Sequence, residues 1–324
     1  MDMEMKEGVL LLQLGSPKAY TTEAVKEYLL SFLGDPHTLG SPPFFWNPLL
    51  RYIIAPSRAK RSALKYKEMC EIQGVTEMPL ITHTRNFVQG VQAKLKDRAF
   101  VRYAFQYGAS PSIQEALDDF VKEGVKKVRV IPLYPQRSGA TSVSALDQLK
   151  ENRAKYPSLD FYACHGFADH PAWIENVVQT IKTYDKDSSY TILISWHGMP
   201  QKRIRLGDPY ESDCQKSVLA IEQKLGRSVL VSYQSRFGVG KWLGPSTNDT
   251  LTELGKAGAK VIVVCPAFTV DNLETFHEID IEAKKIFLNA GGQDWQRVPC
   301  LNASPKWITD FANHIALDLP CQEL

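Results

Sequence analysis

Phe100–Tyr134 reads FVRYAFQYGASPSIQEALDDFVKEGVKKVRVIPLY, and Ser228–Phe268 reads SVLVSYQSRFGVGKWLGPSTNDTLTELGKAGAKVIVVCPAF. Both stretches open with a short apolar run of strand length. Both then pass through a Pro-Ser turn, at Pro111-Ser112 and at Pro245-Ser246. A helical pattern follows and is broken at a glycine flanked by lysines, Gly124 in one and Gly258 in the other. A second apolar run closes each stretch. Strand, helix and strand in this order predict a parallel βαβ unit. Two such units in one chain predict a repeated α/β architecture.

Working outward, further apolar runs bounded by turn residues predict strands at Gly8–Leu14 and Tyr190–Trp196, beside those at Phe100–Tyr107, Lys127–Leu133, Ser228–Tyr233 and Lys260–Cys265. The first strand of each half ends in a small-residue turn before a proline: Leu14-Gly-Ser-Pro17 and His197-Gly-Met-Pro200. Two unrelated βαβ units with generic turn chemistry would share some of these features. The matched order favours two similar α/β domains with parallel sheets, 1–150 and 151–304, facing each other across an active-site cleft. A C-terminal helix within 305–324 is assigned to the first domain. In open α/β sheets ligands bind beyond the carboxyl ends of the strands, so the residues just after them matter most.

Composition sets the outer bounds. With 324 residues, 44% hydrophobic and 23% charged, the chain can bury a substantial core without staples. Its net charge, 38 − 36 = +2, is too balanced for a protein that holds a polyphosphate backbone, and no nucleic-acid partner is expected. The six cysteines, Cys70, Cys164, Cys214, Cys265, Cys300 and Cys321, are scattered with no C-x-x-C. They read as free thiols rather than a zinc or iron–sulfur site. The opening residues MDMEMKEG lack the apolar core of a secretory leader, and no run reaches the ~18 apolar residues of a membrane span. A cytoplasmic location is the resulting expectation.

Three features sit where ligands are expected. His197 follows directly on a predicted strand; a lone histidine is as often structural as functional, but its place at a carboxyl strand end favours function. After the strand ending near Cys265 comes DNLETFHEIDIE (271–282), in which Glu274, Glu278 and Glu282 repeat at i, i+4 and i+8. On an α-helix this is one acidic stripe, either a solvated face or a carboxylate row toward a cleft. Oxygen and imidazole ligands together suit Fe2+ and similar ions. The third feature is Ser41–Ala55 (SPPFFWNPLLRYIIA) followed by Arg58 and Arg61, an apolar lip with a basic rim. Phe44, Phe45 and Trp46 between prolines are hard to bury fully, and such a patch suits an amphipathic anion or a membrane surface.

At these residues the chain resembles the ferrochelatases, which insert Fe2+ into a porphyrin. LLQLGSP (11–17), PLYPQRS (132–138), SWHGMP (195–200) with GDPY (207–210), SRFG (235–238) with KWLGP (241–245), and AFTVDNLE (267–274) are similar to motifs of that family in the same order. The resemblance implies the chelatase fold, two similar Rossmann-like domains with the active site between them, and a lyase of haem biosynthesis. It implies His197 and Glu274 as catalytic residues, and these two with Glu278 as metal ligands. It implies Trp242, Tyr134, Leu14, Arg58, Arg61 and Ser138 as porphyrin contacts.

The partners implied are porphyrin and Fe2+, with peripheral membrane contact through Phe44, Phe45 and Trp46 at the inner membrane surface. Fe2+ would be substrate, with no cofactor; the C-terminal cysteine cluster of some members is missing, so no [2Fe–2S] centre is expected. The apolar lip favours protoporphyrin IX over coproporphyrin III. A chelatase for another tetrapyrrole, or a carrier without chemistry, are the alternatives. Departures from the family pattern are Asn272 for a usual His, His277 for a usual Tyr, Arg137 for a usual aromatic and Gln106 for a usual Arg.

Overall fold

Val9–Leu12 are completely buried because their strand is paired along both edges and covered on both faces. That strand belongs to a computed structural model that describes residues 7–39, 44–236 and 240–324. Its strands are β1 (Glu7–Gly15), β2 (Ala99–Tyr107), β3 (Lys127–Pro132), β4 (Asp160–Cys164), β5 (Thr191–His197), β6 (Leu230–Gln234), β7 (Lys260–Val264), β8 (Asp294–Arg297) and β9 (Cys321–Glu323). They form two sheets, in the orders β2-β1-β3-β4-β9 and β6-β5-β7-β8. All pairings are parallel except that of β9 with β4. Leaving β9 aside, the two orders are the same: second strand, first, third, fourth.

The chain divides into two compact units. One runs to Phe167 and resumes at Ala303–Leu324; the other is Ala168–Asn302. The first boundary therefore lies beyond the expected 150/151. β4 pairs with β3 (Val128↔Phe161, Val130↔Ala163) and completes the first sheet. Pro305–His314 also belongs to the first unit, where Trp307 and Phe311 pack on Phe87 and Phe167. Leu10, Leu12, Val128 and Val130 meet Leu117 and Phe120 of the helix Ile113–Lys122 in the core of this unit. In the second unit Leu193, Val261 and Val263 meet Leu251, Ile279 and Phe287.

The sequence echo is an echo of hydrogen bonds. Ser112 caps the helix Ile113–Lys122 in a reciprocal box with Glu115, and Ser246 caps Thr247–Lys256 through the backbone N–H of Asp249. Ahead of each cap the proline carbonyl accepts from the neighbouring strand: Phe105 N–H to Pro111 O at 2.8 Å, and Tyr233 N–H to Pro245 O at 2.9 Å.

The expectation of six free thiols is corrected. Cys164 and Cys321 form a disulfide across β4 and β9, with Cα atoms 4.0 Å apart and a sequence separation of 157. Antiparallel pairing sets the two side by side (Cys164↔Cys321), a proximity that no sequence spacing reveals. Cys70, Cys214, Cys265 and Cys300 are free. Among the described residues no helix is long and apolar enough to cross a membrane.

Candidate functional site

In each sheet the chain adds its second strand on one side of the first and its third on the other. Such a reversal point is where open α/β sheets bind ligands. In the second unit it lies between β5 and β7, and His197 is the last residue of β5. Gly198 follows because a side chain has no room there: a Cβ would stand 2.5 Å from the Gln234 carbonyl oxygen at the end of β6. The Gly198 N–H donates to that same carbonyl at 2.7 Å.

His197 Nδ1 lies 2.9 Å from the Gly198 carbonyl oxygen. A carbonyl only accepts, so Nδ1 carries the proton and Nε2 keeps its lone pair. Burial lowers the His197 pKa below the ordinary 6.5, although the Glu278 charge and the Gly198 carbonyl pull the other way. The ring is thus a neutral proton acceptor at pH 7. Phe268 packs edge-on against it with centroids 6.2 Å apart.

The acidic segment forms a π-helix, Glu274–Ala283, and not the α-helix assumed for the stripe. Its i→i+5 ladder still leaves residues four apart close to one face, as an α-helix does, but each carboxylate meets a different partner. Glu278 accepts a hydrogen bond from Ser235 Oγ, just past β6, where Ser235 has a left-handed backbone (φ 60°). Glu282 is exposed and lies 3.5 Å from Nδ1 of the buried His277. Glu274 stands half-buried at the first turn. Asn272 holds the start of this helix in shape. Its Oδ1 accepts from Thr275 N–H at 2.9 Å, and its own N–H donates to Thr275 Oγ1 at 3.0 Å.

The sequence reading missed what anchors this helix. Asp271 is buried and accepts from Arg297 Nη1 at 2.7 Å, Asn302 Nδ2 at 2.8 Å and Thr275 Oγ1 at 2.9 Å. Burial alone would raise its pKa; Arg297 and these hydrogen bonds hold it below the ordinary carboxylate value. Arg297 Nε also reaches Asp280 at 3.3 Å, so β8 grips the helix at two points. Asp271 reads in the sequence only as the opening carboxylate of the acidic segment, Arg297 carries no signal, and β8 shows no strand pattern.

Trp242 lies beside the loop after β5. Leu243 N–H donates to Met199 O at 2.9 Å and Gln201 N–H to Lys241 O at 2.9 Å, so this segment runs antiparallel to Gly198–Gln201. The Gly198 Cβ position is 3.3 Å from the Trp242 indole. His197, Glu278 and Trp242 are thereby gathered at one sheet end. Phe237 and Gly238 of the SRFG motif lie outside the described residues. Among those described, no group of three or more His, Cys, Asp or Glu side chains is arranged to hold a metal ion.

The first unit repeats the geometry with other side chains. Leu14 stands before Gly15 as His197 stands before Gly198. A Cβ on Gly15 (φ 99°) would lie 2.0 Å from the Tyr107 carbonyl oxygen at the end of β2. Beyond β3, Tyr134 is buried and donates to Gln106 Oε1 at 2.7 Å. Ser138 is buried as well, and its hydroxyl caps the π-helix Gly139–Val143. Arg58 and Arg61 are exposed on the helix Ala55–Gln73, away from these strand ends in the chain.

Residues 41–43 of the lip lie outside the described residues. Of the rest, Phe44 is 97% exposed, Tyr52 75% and Ile53 61%, in keeping with an apolar patch that is hard to bury. Trp46 is instead anchored, its indole N–H donating to Leu33 O at 2.9 Å.

The family model of ferrochelatase matches residues 6–318. The chain belongs to the ferrochelatase family. A ferrochelatase of Hamiltonella defensa subsp. Acyrthosiphon pisum (strain 5AT) is 39% identical over 313 residues, covering 94% of this chain and 97% of that protein. Solved structures share the fold at low identity. SirB from Bacillus subtilis with Fe3+ superposes with a TM-score of 0.59 at 14% identity, covering 97% of each chain. CbiX, the terminal enzyme of sirohaem biosynthesis in denitrifying bacteria, gives 0.50 at 15% identity, covering 97% of this chain and 100% of that one. The family places this chain among the lyases that insert Fe2+ into a porphyrin in haem formation, with porphyrin and Fe2+ as substrates.

Proposed function

We propose that this ferrochelatase family member acts on protoporphyrin IX, with His197 Nε2 taking a pyrrole proton. The observation that carries this reading is the Nδ1 contact to the Gly198 carbonyl, which leaves Nε2 as the nitrogen that can accept a proton. Insertion removes two N–H protons from the macrocycle, forms four metal–nitrogen bonds and strips water from Fe2+. His197 accepts one proton. Glu274, with Glu278 beside it, takes the second or holds the incoming ion. Trp242 packs on the macrocycle face, and Tyr134, Leu14 and Ser138 shape its surroundings. Binding contacts remote from the nitrogens can offset ~1–5 kcal/mol of macrocycle bending, which exposes the nitrogen lone pairs. Arg58 and Arg61 pair with propionates.

The preference for protoporphyrin IX is supported by the lip. Phe44, Phe45, Tyr52 and Ile53 are exposed beside Arg51, a surface suited to anionic lipid, from which an apolar porphyrin would partition. The enzyme then works at the cytoplasmic face of a membrane. The thiol count no longer supports that location, since two of the six cysteines are joined. We also infer no [2Fe–2S] centre: Cys321 is bonded to Cys164, and Cys300 is packed against Asp271. An iron–sulfur absorbance band in the pure protein would refute this.

The test is anaerobic insertion of Fe2+ or Zn2+ into protoporphyrin IX and coproporphyrin III in parallel, with His197→Ala alongside. The expected result is faster turnover with protoporphyrin IX, and a variant that binds porphyrin without metallating it. Near-normal turnover by His197→Ala would overturn the assignment. Faster turnover with coproporphyrin III would overturn the substrate.

A further inference from the structure

The pairing of β4 with β3 stops at Val130↔Ala163. The next residue, Cys164, is paired with Cys321 of β9 and with no other strand among the described residues. The chain then turns through His165-Gly166-Phe167 onto the segment that follows β3. Phe167 N–H donates to Pro135 O at 2.9 Å, and a Cβ on Gly166 would stand 2.5 Å from that same oxygen. Pro135 lies between Tyr134 and Ser138. The disulfide therefore closes the end of β4 just before its contact with the Tyr134–Ser138 segment.

β9 is an edge strand of 3 residues, and so short a strand frays once its covalent tie is cut. The segment leading into it stays in place: Arg129 Nε donates to Ala316 O at 3.1 Å and Nη2 donates to Leu319 O. Opening the bond thus leaves the two cysteines within reach of each other. Their sulfurs differ in access, since Cys164 is buried and Cys321 is half-buried. Each sulfur also has a carbonyl placed to accept its proton as a free thiol. Cys321 Sγ is 3.2 Å from Leu319 O, and Cys164 Sγ is 3.9 Å from Tyr162 O.

We propose that Cys164–Cys321 is a reversible thiol–disulfide exchange site that regulates porphyrin binding, with a dithiol as its reductant. A thiolate of the dithiol attacks Cys321 Sγ, the accessible sulfur. The S–S bond breaks, and its electron pair leaves on Cys164 Sγ, which takes a proton. The second thiolate of the reductant attacks its own sulfur in the mixed disulfide and releases Cys321 as a thiol. Two electrons pass to the protein, the dithiol becomes a disulfide, and that oxidised form drives the reverse reaction. Opening frees the end of β4 and loosens the Phe167–Pro135 contact. The Tyr134–Ser138 segment loses order and the porphyrin is held less tightly. This rests on Tyr134 and Ser138 being porphyrin contacts, as proposed above. An enzyme at the cytoplasmic face of a membrane also meets reducing thiols, where disulfides are mainly catalytic or redox-sensing.

The experiment equilibrates the full chain with mixtures of reduced and oxidised dithiothreitol. One portion is acid-quenched, alkylated and weighed to count thiols. The other is desalted anaerobically and assayed for Fe2+ insertion into protoporphyrin IX, with hydrogen exchange of the Phe167 amide alongside. The folded chain is expected to gain two thiols beyond its 4 free cysteines in a single two-electron step. KM for porphyrin should rise several-fold with kcat retained, Phe167 exchange should quicken several-fold, and both should reverse on reoxidation. Cys321→Ser should show the reduced-form KM in every mixture. An unmoved KM after the bond has opened overturns the proposal. So does a bond that stays closed in excess dithiothreitol, or a KM that still follows the mixture in Cys321→Ser. If Cys321→Ser does not fold, the unaltered chain decides by the first two outcomes. Failure of the oxidised chain to metallate porphyrin would sink the functional reading itself. The thiol count and Phe167 exchange then judge the exchange site, and an unmoved Phe167 overturns it.

Discussion

The two halves have one strand order and two chemistries. At the end of β1 and just past β5 stands a glycine backed by a carbonyl of the neighbouring strand, Tyr107 O for Gly15 and Gln234 O for Gly198. The residue before that glycine is Leu14 in one half and His197 in the other. The anchored carboxylates differ as well: the buried Asp271 is paired with a guanidinium, and the half-buried Asp35 is held by hydroxyls and an amide. The backbone frame is repeated, while the side chains at equivalent strand ends differ; under the function proposed above, proton transfer falls to one half and recognition to the other.

The sharpest way to break this division is to exchange the two strand-end residues for alanine. His197→Ala is expected to lower kcat by about 10²–10⁴ with porphyrin binding retained, the range for loss of a general base. Leu14→Ala is expected to act on KM alone. A kcat loss of equal size in both would erase the distinction. Activity should also fall on acidification only below pH 6.5, the ordinary histidine value, because burial lowers the folded pKa and the ring stays neutral until then. A pH–rate profile with its acid limb above that value would contradict the assigned cause.

Next in size are the carboxylates. Asp271→Ala leaves Arg297 buried without its partner and should cost about 3–5 kcal/mol. Asp35→Ala strands only neutral donors and should cost about 1–3 kcal/mol. Denaturant unfolding of both variants checks the order. Both pKa values are depressed, so both contribute stability that is present at neutral pH and lost as pH falls through their folded values, below 3.8.

The disulfide belongs to the first unit alone. Cys321→Ser, or reduction, should lower stability by about 2–5 kcal/mol. If thermal unfolding is unchanged by reductant, the strand pairing of β9 carries no such constraint. Smallest are the twin caps: Ser112→Ala and Ser246→Ala should each cost about 1 kcal/mol, with Ser112 the larger because it also completes a capping box.

The sequence made the repeat legible because glycine, proline and serine caps are local signals. β1, β2, β3, β5, β6 and β7 were found that way. β4 and β8 are short and half-polar, and β9 is held by a partner far away in sequence, so none shows the pattern of a buried parallel strand. His197 was visible from its place after a strand. The acidic row was visible as composition, but its partners were not: Ser235 meets Glu278 only through tertiary folding, and His277 meets Glu282 at the five-residue spacing of a π-helix. The Asp271–Arg297 anchor and the Asp35 network depend on tertiary proximity and left no trace in spacing.

The chain enters the second unit after Phe167 and leaves it at Asn302, while Cys164 and Cys321 are bonded outside both points. The whole second unit is therefore threaded within a closed covalent ring. A protease that cuts any one of its surface loops yields two fragments that remain a single molecule under non-reducing conditions and separate only with thiol. A nicked enzyme would keep both of its halves in one particle, and gel mobility with and without reductant would record where the chain had been opened.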